Sequence, residues 1–438
     1  MNGAPQMQHD AIIVGAGAAG AAAATWLARG GWSVVVVEKQ PFPRRKVCGE
    51  CIAAGNLPLL HDLGLGPTLQ AMAGAELHRV TLLHGQQQVT AQLPAHRAPH
   101  PWGVALGRET LDNCLLEAAL AAGADVLQPF VLQAITGAPG AWQCEARELA
   151  TGIVRHLSAP LLIDAHGSWE DLPSPQTRTR PVHEASDLLA FKANFVGATL
   201  DAGTISVLAL DGGYGGMVQA GGGVATVACC VRRDRLSQLR SAAPGVAAGQ
   251  VVQDWLLRTC SGVQRALQGA TRDGSWLAAG PIQPGLRLQA DDGIFRIGNA
   301  AGEAHPILGE GLSMALQSAA MLSTRLLQLR PAQAAAHGAD IANPANTANA
   351  ANAAAKKADP SLGHAAWQAT AMRQYTAHWR RSFTPRLRLA AVLAHAAMRP
   401  QAAALLLRLA TGWPGLLTTG ARWGGKSRPA ALLGRPTS

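Results

Sequence analysis

Asp10-Ala11-Ile12-Ile13-Val14-Gly15-Ala16-Gly17-Ala18-Ala19-Gly20 is the stretch that decides the fold of this chain. Its apolar run, Ala11 to Val14, reads as a buried strand of a parallel sheet. Gly15, Gly17 and Gly20 follow at G-x-G-x-x-G spacing. An Ala-rich helix then runs from Ala18 to Arg29, and a second strand from Ser33 to Val37 ends in Glu38. Strand, glycine turn, helix, strand and terminal acid together form the dinucleotide-binding fingerprint. Gly15 permits the tight turn, Gly17 lets backbone approach a diphosphate, and Gly20 lets helix and strand pack closely. The N–H groups at the helix start, Ala18 and Ala19 among them, offer partial positive charge to phosphates. Glu38 is placed to accept hydrogen bonds from a ribose. This stretch alone leaves NAD and FAD open.

With 438 residues, 48% of them hydrophobic and 15% charged, the chain has the composition of a globular protein, with length for two to three domains. The formal charge of +10 is unevenly spread. No Asp or Glu follows Asp359, while 11 Lys and Arg do, which leaves the rest near neutral. A basic tail on a neutral body points to a local anionic contact, such as a peripheral membrane contact, and away from nucleic acid. Seven cysteines and no secretory pattern at the N-terminus lead us to expect reduced thiols and a cytoplasmic protein.

The loop after Glu38 reads Lys39-Gln40-Pro41-Phe42-Pro43-Arg44-Arg45-Lys46-Val47-Cys48-Gly49-Glu50-Cys51. It leaves the carboxyl end of a parallel strand, where ligands of such sheets bind. The three consecutive basic residues Arg44, Arg45 and Lys46 are candidate phosphate neighbours, and Lys39 and Arg45 join the candidate cofactor set. Cys48 and Cys51 have three readings: separate thiols with Cys48 lining the pocket, a redox pair, or half of a zinc site that lacks its second half. Leu77–Leu83 and Gln87–Leu93 read as strands, and Arg108 opens a helix to about Ala122. Trp142–Leu149 and Ile153–Leu157 read as a hairpin. Leu161-Leu162-Ile163-Asp164 is another buried strand, and Trp169 to Val182 a Pro-rich crossing. β-rich runs between Asp187 and Gly280, with one helix near Val246–Arg258, form a substrate domain. Its Gly212 to Gly223 segment is small and apolar enough to line a pocket.

A second motif runs from Gly293 through Gly298-Asn299-Ala300-Ala301-Gly302 to His305-Pro306-Ile307-Leu308-Gly309-Glu310-Gly311-Leu312. A strand delivers Asn299, a Gly/Pro turn wraps a ligand, and a helix start near Gly309 to Gly311 aims positive charge inward. Residues 331–360 are low-complexity Ala and Asn. The tail, from about Ala365, reads as helices interrupted by Pro385, Pro400 and Pro414. It is either a helical cap or a membrane-contacting surface.

Three blocks in this order resemble the flavoprotein superfamily of p-hydroxybenzoate hydroxylase: Gly15-x-Gly17-x-x-Gly20 with Glu38, Gly107-Arg108 with Leu111-Asp112, and Gly298 to Gly311. Pro43-Arg44-Arg45-Lys46-Val47-Cys48-Gly49 and Asp164-Ala165-His166-Gly167-Ser168 are similar to the geranylgeranyl reductase and flavin-dependent halogenase branch. The resemblance implies FAD as cofactor, with NAD(P)H or a separate flavin or ferredoxin as electron donor. It implies an α/β fold: a Rossmann-like FAD-binding domain (9–75, 100–168, 281–330) and an inserted antiparallel substrate domain (76–99, 169–280); composition, not the resemblance, adds a low-complexity insertion (331–364) and a basic helical tail (365–438). The resemblance assigns Glu38 to ribose, Arg108 to the phosphate–ribityl region and Asn299 to the ribityl chain. Gly298, Gly302, Pro306, Gly309, Gly311 and Leu312 complete the cofactor set. Asn299 stands where the family carries an acid, His166 stands where hydroxylases carry one, and the reductases' Trp/Phe-Pro segment is missing after Tyr214. Cys48, His166 and His305 are the candidate catalytic side chains. The expected reaction is monooxygenation of a hydrophobic polyketide, isoprenoid or aromatic through a flavin C4a-hydroperoxide, in secondary metabolism. The alternatives are alkene reduction and disulfide reduction by Cys48 and Cys51.

Overall fold

The computed structural model describes residues 7–97, 99–168, 170, 172–173, 183–288, 292–330 and 360–423. Most of the crossing expected at 169–182 and the low-complexity segment at 331–359 lie outside the described residues.

A five-stranded sheet carries the nucleotide-binding half. Its order is Phe295–Arg296, Leu161–Asp164, Ala11–Val14, Val34–Val37, Asp125–Leu127, and every pair is parallel. All four residues of Ala11–Val14 and of Val34–Val37 are buried, because both faces of a parallel sheet are covered. Alternation decides which layer each residue meets. Ala11, Ile13, Val34 and Val36 face the helices, while Ile12, Val14, Val35 and Val37 face Phe130, Leu132, Trp142 and Leu157. Those belong to a second, four-stranded sheet that contains the expected hairpin, as Ala141–Glu148 and Val154–Ala159. From Ala11–Val14 the chain winds to one side and later to the other. That puts the topological switch, and hence the ligand crevice, at the carboxyl end of this strand.

The helix Ala18–Arg29 buries ten of its residues, most of them alanine. Small side chains let it lie close to both the sheet and the helix Gly311–Leu329. A Cβ on Gly20 would stand 1.8 Å from the Gly15 carbonyl oxygen, so close approach demands glycine there. Gly15 itself has φ of +100°, a conformation that side chains disfavour.

The second half is a seven-stranded sheet in the order Thr271–Ile282, Leu188–Val196, Ala225–Arg232, Gly213–Gln219, Thr204–Leu210, Arg79–His84, Gln87–Gln92. The early hairpin therefore joins strands over a hundred residues later. The sheet is mixed where we expected a fully antiparallel one, because Thr204–Leu210 pairs parallel with Arg79–His84. Instead of one helix it carries three, Arg233–Ser241, Ala248–Thr259 and Ser261–Leu267. They cover the face formed by Phe195, Leu208, Val227 and Val231, with Trp255 filling the centre.

The tail packs as a cap. One helix, Pro360–Ala397, runs through Pro385, contrary to the expected break. Pro385 and the residue four before it, Arg381, both lie on the exposed side, so water can satisfy the carbonyl that proline leaves without a donor. The inner face buries Tyr375, Trp379, Phe383 and Leu387. Pro400 begins the next helix, Pro400–Gly412, and Pro414 precedes Gly415–Trp423.

Candidate functional site

A cavity of about 450 Å³ lies between the two sheets and the tail. At one end it meets Gly17, Ala18 and Ala19 of the glycine turn. It then passes Lys46 to Cys51, Arg108, Gly298, Asn299, Pro306, Gly309, Gly311 and Leu312. Its far walls are Tyr214 to Val218 and Ala228 to Cys230 of the seven-stranded sheet, with Leu406, Leu416 and Leu417 of the tail.

The nucleotide end is built from backbone. Gly17 caps the first helix with no side-chain hydrogen bond, which leaves the N–H groups of the first turn available to an anion. A Cβ on Gly17 would meet nothing within 4 Å. Buried Glu38 accepts from Ala16 N at 2.8 Å and Gln40 N at 2.7 Å. It therefore braces the turn; Oε2 also meets Arg44 Nη2 at 3.5 Å, while Oε1 keeps a lone pair for a hydroxyl. Arg108, also buried, pairs with Asp112 through two hydrogen bonds of 2.8 and 2.7 Å. Burial opposes its charge, but Asp112 and Cys48 more than offset this and raise its pKa. Asn299 donates to Ser168 Oγ at 2.8 Å, and Ser168 donates to Glu303, itself paired with Arg287. The helix Gly311–Leu329 likewise starts without a side-chain cap.

Several expected site residues point elsewhere. Lys39 pairs with Glu170 on the surface, and Arg45 bridges Glu109 and Asp273, joining the two halves. Side chains alternate along this extended loop, so Lys46 is the cation that reaches the cavity. Burial, then Arg108, holds its ammonium down to about 8. Gly302 is a packing glycine: a Cβ there would lie 2.6 Å from the Trp379 ring. Gly20 serves close packing rather than ligand contact. His166 is tied to Asp164 and is not among the cavity-lining residues. Cys48 and Cys51 both line the cavity as thiols in no disulfide, Cys48 accepting from Glu50 N and Cys51 donating to the Gly49 carbonyl.

His305 stands one layer behind the wall. Its Nδ1 is 3.4 Å from the Tyr214 hydroxyl, and its ring sits 5.6 Å from that of His395. Burial, then His395, lowers its pKa from 6.5 to about 4. A depressed pKa means that folding disfavours the imidazolium. The associated stability is present above pH 6.5 and lost as pH falls through about 4, about 3 kcal/mol in all. Urea midpoints should therefore fall between pH 6.5 and 4, and His305→Gln should flatten that part of the profile. An unchanged slope in the variant would assign the acid sensitivity to other groups.

Two residues were missed from sequence. Glu50 has φ of 58°, the one non-glycine residue with positive φ among the described residues. Its buried carboxylate pairs with Lys192 Nζ, accepts from Thr226 Oγ1, and accepts from Arg108 N at 3.0 Å. It thus locks the Cys48 loop to the Arg108 helix and to the seven-stranded sheet. The available signal was a lysine inside the apolar strand run Leu188-Leu189-Ala190-Phe191-Lys192-Ala193. The second is Glu310, fully buried and 3.2 Å from Arg386 of the tail helix.

A glycine turn, a second helix start and an apolar cavity between them define a nucleotide-cofactor fold joined to a second, sheet-built half. Residues 8–209 match the family model described as FAD binding domain. Over 119 residues the chain is 38% identical to menaquinone reductase of Mycobacterium tuberculosis, covering 27% of this chain and 28% of that protein. Two solved structures share the fold. A geranylgeranyl bacteriochlorophyll reductase-like protein of Thermoplasma acidophilum superposes with a TM-score of 0.68 at 16% identity, over 92% of this chain and 91% of that one. The myxobacterial chondrochloren halogenase does so with 0.62 at 19%, over 76% and 78%. The residues present fit FAD: open backbone at Gly17, uncapped helix starts at Ala18 and Gly311, and one cavity joining them.

Proposed function

We propose that this chain is an FAD-dependent monooxygenase that hydroxylates or epoxidises a hydrophobic small molecule. The observation that carries the reading is the continuity of the cavity, which runs from the cofactor-binding turns into apolar walls of the sheet and tail. FAD, when bound, supplies two-electron redox chemistry and, once reduced, reactivity toward oxygen. NAD(P)H or a separate flavin or ferredoxin would deliver the electrons.

The chain's own contributions follow from the site. The start of Gly311–Leu329 and the Lys46 and Arg108 cations favour negative charge beside the cavity. Apolar walls from Met217, Val218, Leu406 and Leu417 exclude water. Tyr214 is the wall residue that holds a proton: burial, then Cys230, keeps its hydroxyl protonated far above neutral pH. His305 behind it is neutral at pH 7 and is able to accept from or donate to that hydroxyl, depending on its tautomer. Tyr214→Phe is expected to lower kcat by about a hundredfold with KM changed only a few-fold. An unchanged kcat would remove Tyr214 from proton delivery.

A second reading, alkene reduction in an isoprenoid-like substrate, is favoured by the local similarity to proteins named as reductases, one of them a digeranylgeranylglycerophospholipid reductase. It needs a hydride and a proton, and Tyr214 would supply the proton. One experiment separates the readings. The purified protein is checked for bound flavin, reduced without air, and given lipophilic substrates with ¹⁸O-labelled oxygen. Label in the product supports monooxygenation, and gain of two hydrogens without label supports reduction. Absence of bound flavin at any FAD concentration would sink both.

A further inference from the structure

The outer surface of the tail is unlike the rest of the molecule. Leu405, Leu409, Trp413 and Leu416 are 57%, 51%, 74% and 44% exposed. Leu405 and Leu409 lie four apart on the outward side of Pro400–Gly412, opposite buried Ala403, Leu407 and Ala410. Trp413 and Leu416 continue that surface into Gly415–Trp423. Exposed Arg399, Arg408 and Arg422 flank it, and no acidic residue occurs anywhere after Asp359. Large apolar side chains bordered by arginine alone have the chemistry of an interfacial helix on an anionic bilayer.

No single helix among the described residues is long and apolar enough to cross a membrane. The pair Ala366–Ala397 and Pro400–Gly412 is apolar enough together, but it bends by 106° and buries its inner side on the sheet and cavity through Ala394, Ala397, Ala403 and Leu407. This geometry lies on a surface rather than spanning it. The decisive contact is Leu416, which is exposed and also lines the cavity. The apolar surface and the cavity therefore share an edge.

We propose that the outer face of Pro400–Gly412 and Gly415–Trp423 docks on an anionic lipid bilayer, and that the cavity takes a substrate dissolved in the bilayer, entering past Leu416. The part concerning the substrate rests on the function proposed above; the docking does not. In both halves the chemistry is burial. Leu405, Leu409 and Trp413 exchange water for acyl chain, the arginines meet lipid phosphates, and the substrate passes from one apolar medium to another.

The test uses the purified full chain with phosphatidylcholine vesicles, with and without about 30% phosphatidylglycerol. Sedimentation with the anionic vesicles, weakened by salt, is the expected result. Leu409→Ser with Trp413→Ser should lower the vesicle affinity at least about tenfold, as should Arg408→Glu with Arg422→Glu. Brominated acyl chains should quench wild-type tryptophan emission more than that of Trp413→Phe, which keeps an apolar ring and should still bind. Flavin content, measured on each variant, should stay at the wild-type level because these side chains lie outside the cofactor turns. Flavin retained without vesicle binding would overturn the docking and leave the FAD reading standing. Vesicle binding without flavin would support the docking and overturn the FAD reading. Equal binding to neutral and anionic vesicles, or a dimer in solution that covers Trp413, would overturn the proposal.

Discussion

Lys192→Met should lower the unfolding free energy by about 3–5 kcal/mol, the usual result of leaving a buried charge without its partner. Lys192 is 1% and Glu50 2% exposed, and they meet from positions 142 residues apart. Taking the lysine away leaves the Glu50 carboxylate with Thr226 and the Arg108 backbone alone. The measurement is a urea melt, read by its midpoint at constant m-value. Glu50→Gln alone should cost a comparable amount. The double variant Glu50→Gln with Lys192→Met should fall well short of the sum, because the second change removes a charge already stranded. Additive losses would mean that the two groups do not act as a pair. A functional consequence follows from the same geometry. Glu50 anchors the loop that presents Lys46 and Cys48 to the cavity, so the single variants should also hold flavin more weakly.

Gly17→Val is the second large effect, and it should separate binding from folding. The backbone at Gly17 is one that any residue adopts, with φ of −64° and ψ of 179°, and a Cβ there meets nothing. Stability should change by no more than about 1 kcal/mol. The added branches, however, fill the open space over the helix start, where a diphosphate must approach backbone. FAD affinity should drop at least about a hundredfold, roughly 2.7 kcal/mol. Gly20→Val is the contrasting variant: with its Cβ 1.8 Å from the Gly15 carbonyl, it should fail to fold. Titration with FAD followed by flavin fluorescence quenching, beside thermal melts, reads both quantities. Undiminished affinity in Gly17→Val would show that the diphosphate does not lie over this turn.

The two cofactor motifs were readable because each is local. A strand, a glycine turn and a helix start occupy about a dozen residues, and backbone conformation enforces the glycines. Asn299 was placed at the cavity for the same reason, since it ends a strand whose direction the pattern shows; Arg108 was placed there by the family resemblance. Lys39 and Arg45 were chosen for their charge. Charge alone does not say which side of an extended loop a residue faces, and here Lys46 took the inner position while Arg45 bridged Glu109 and Asp273. His166 and His305 were chosen for proximity to motif turns, but Asp164 claims one and the Tyr214 wall screens the other.

The sequence by itself determined the nucleotide-binding βαβ unit, the second helix start and the unbalanced charge of the tail, since periodicity, glycine spacing and composition are properties of contiguous chain. Only the tertiary structure decided what closes the cavity. The Glu50–Lys192 pair, the Glu310–Arg386 pair, the Tyr214–His305 contact and the seating of Leu416 at the cavity edge each join residues more than 70 positions apart. Such pairs arise from how sheets and helices stack, and a buried charge is tolerable only after packing has delivered its partner.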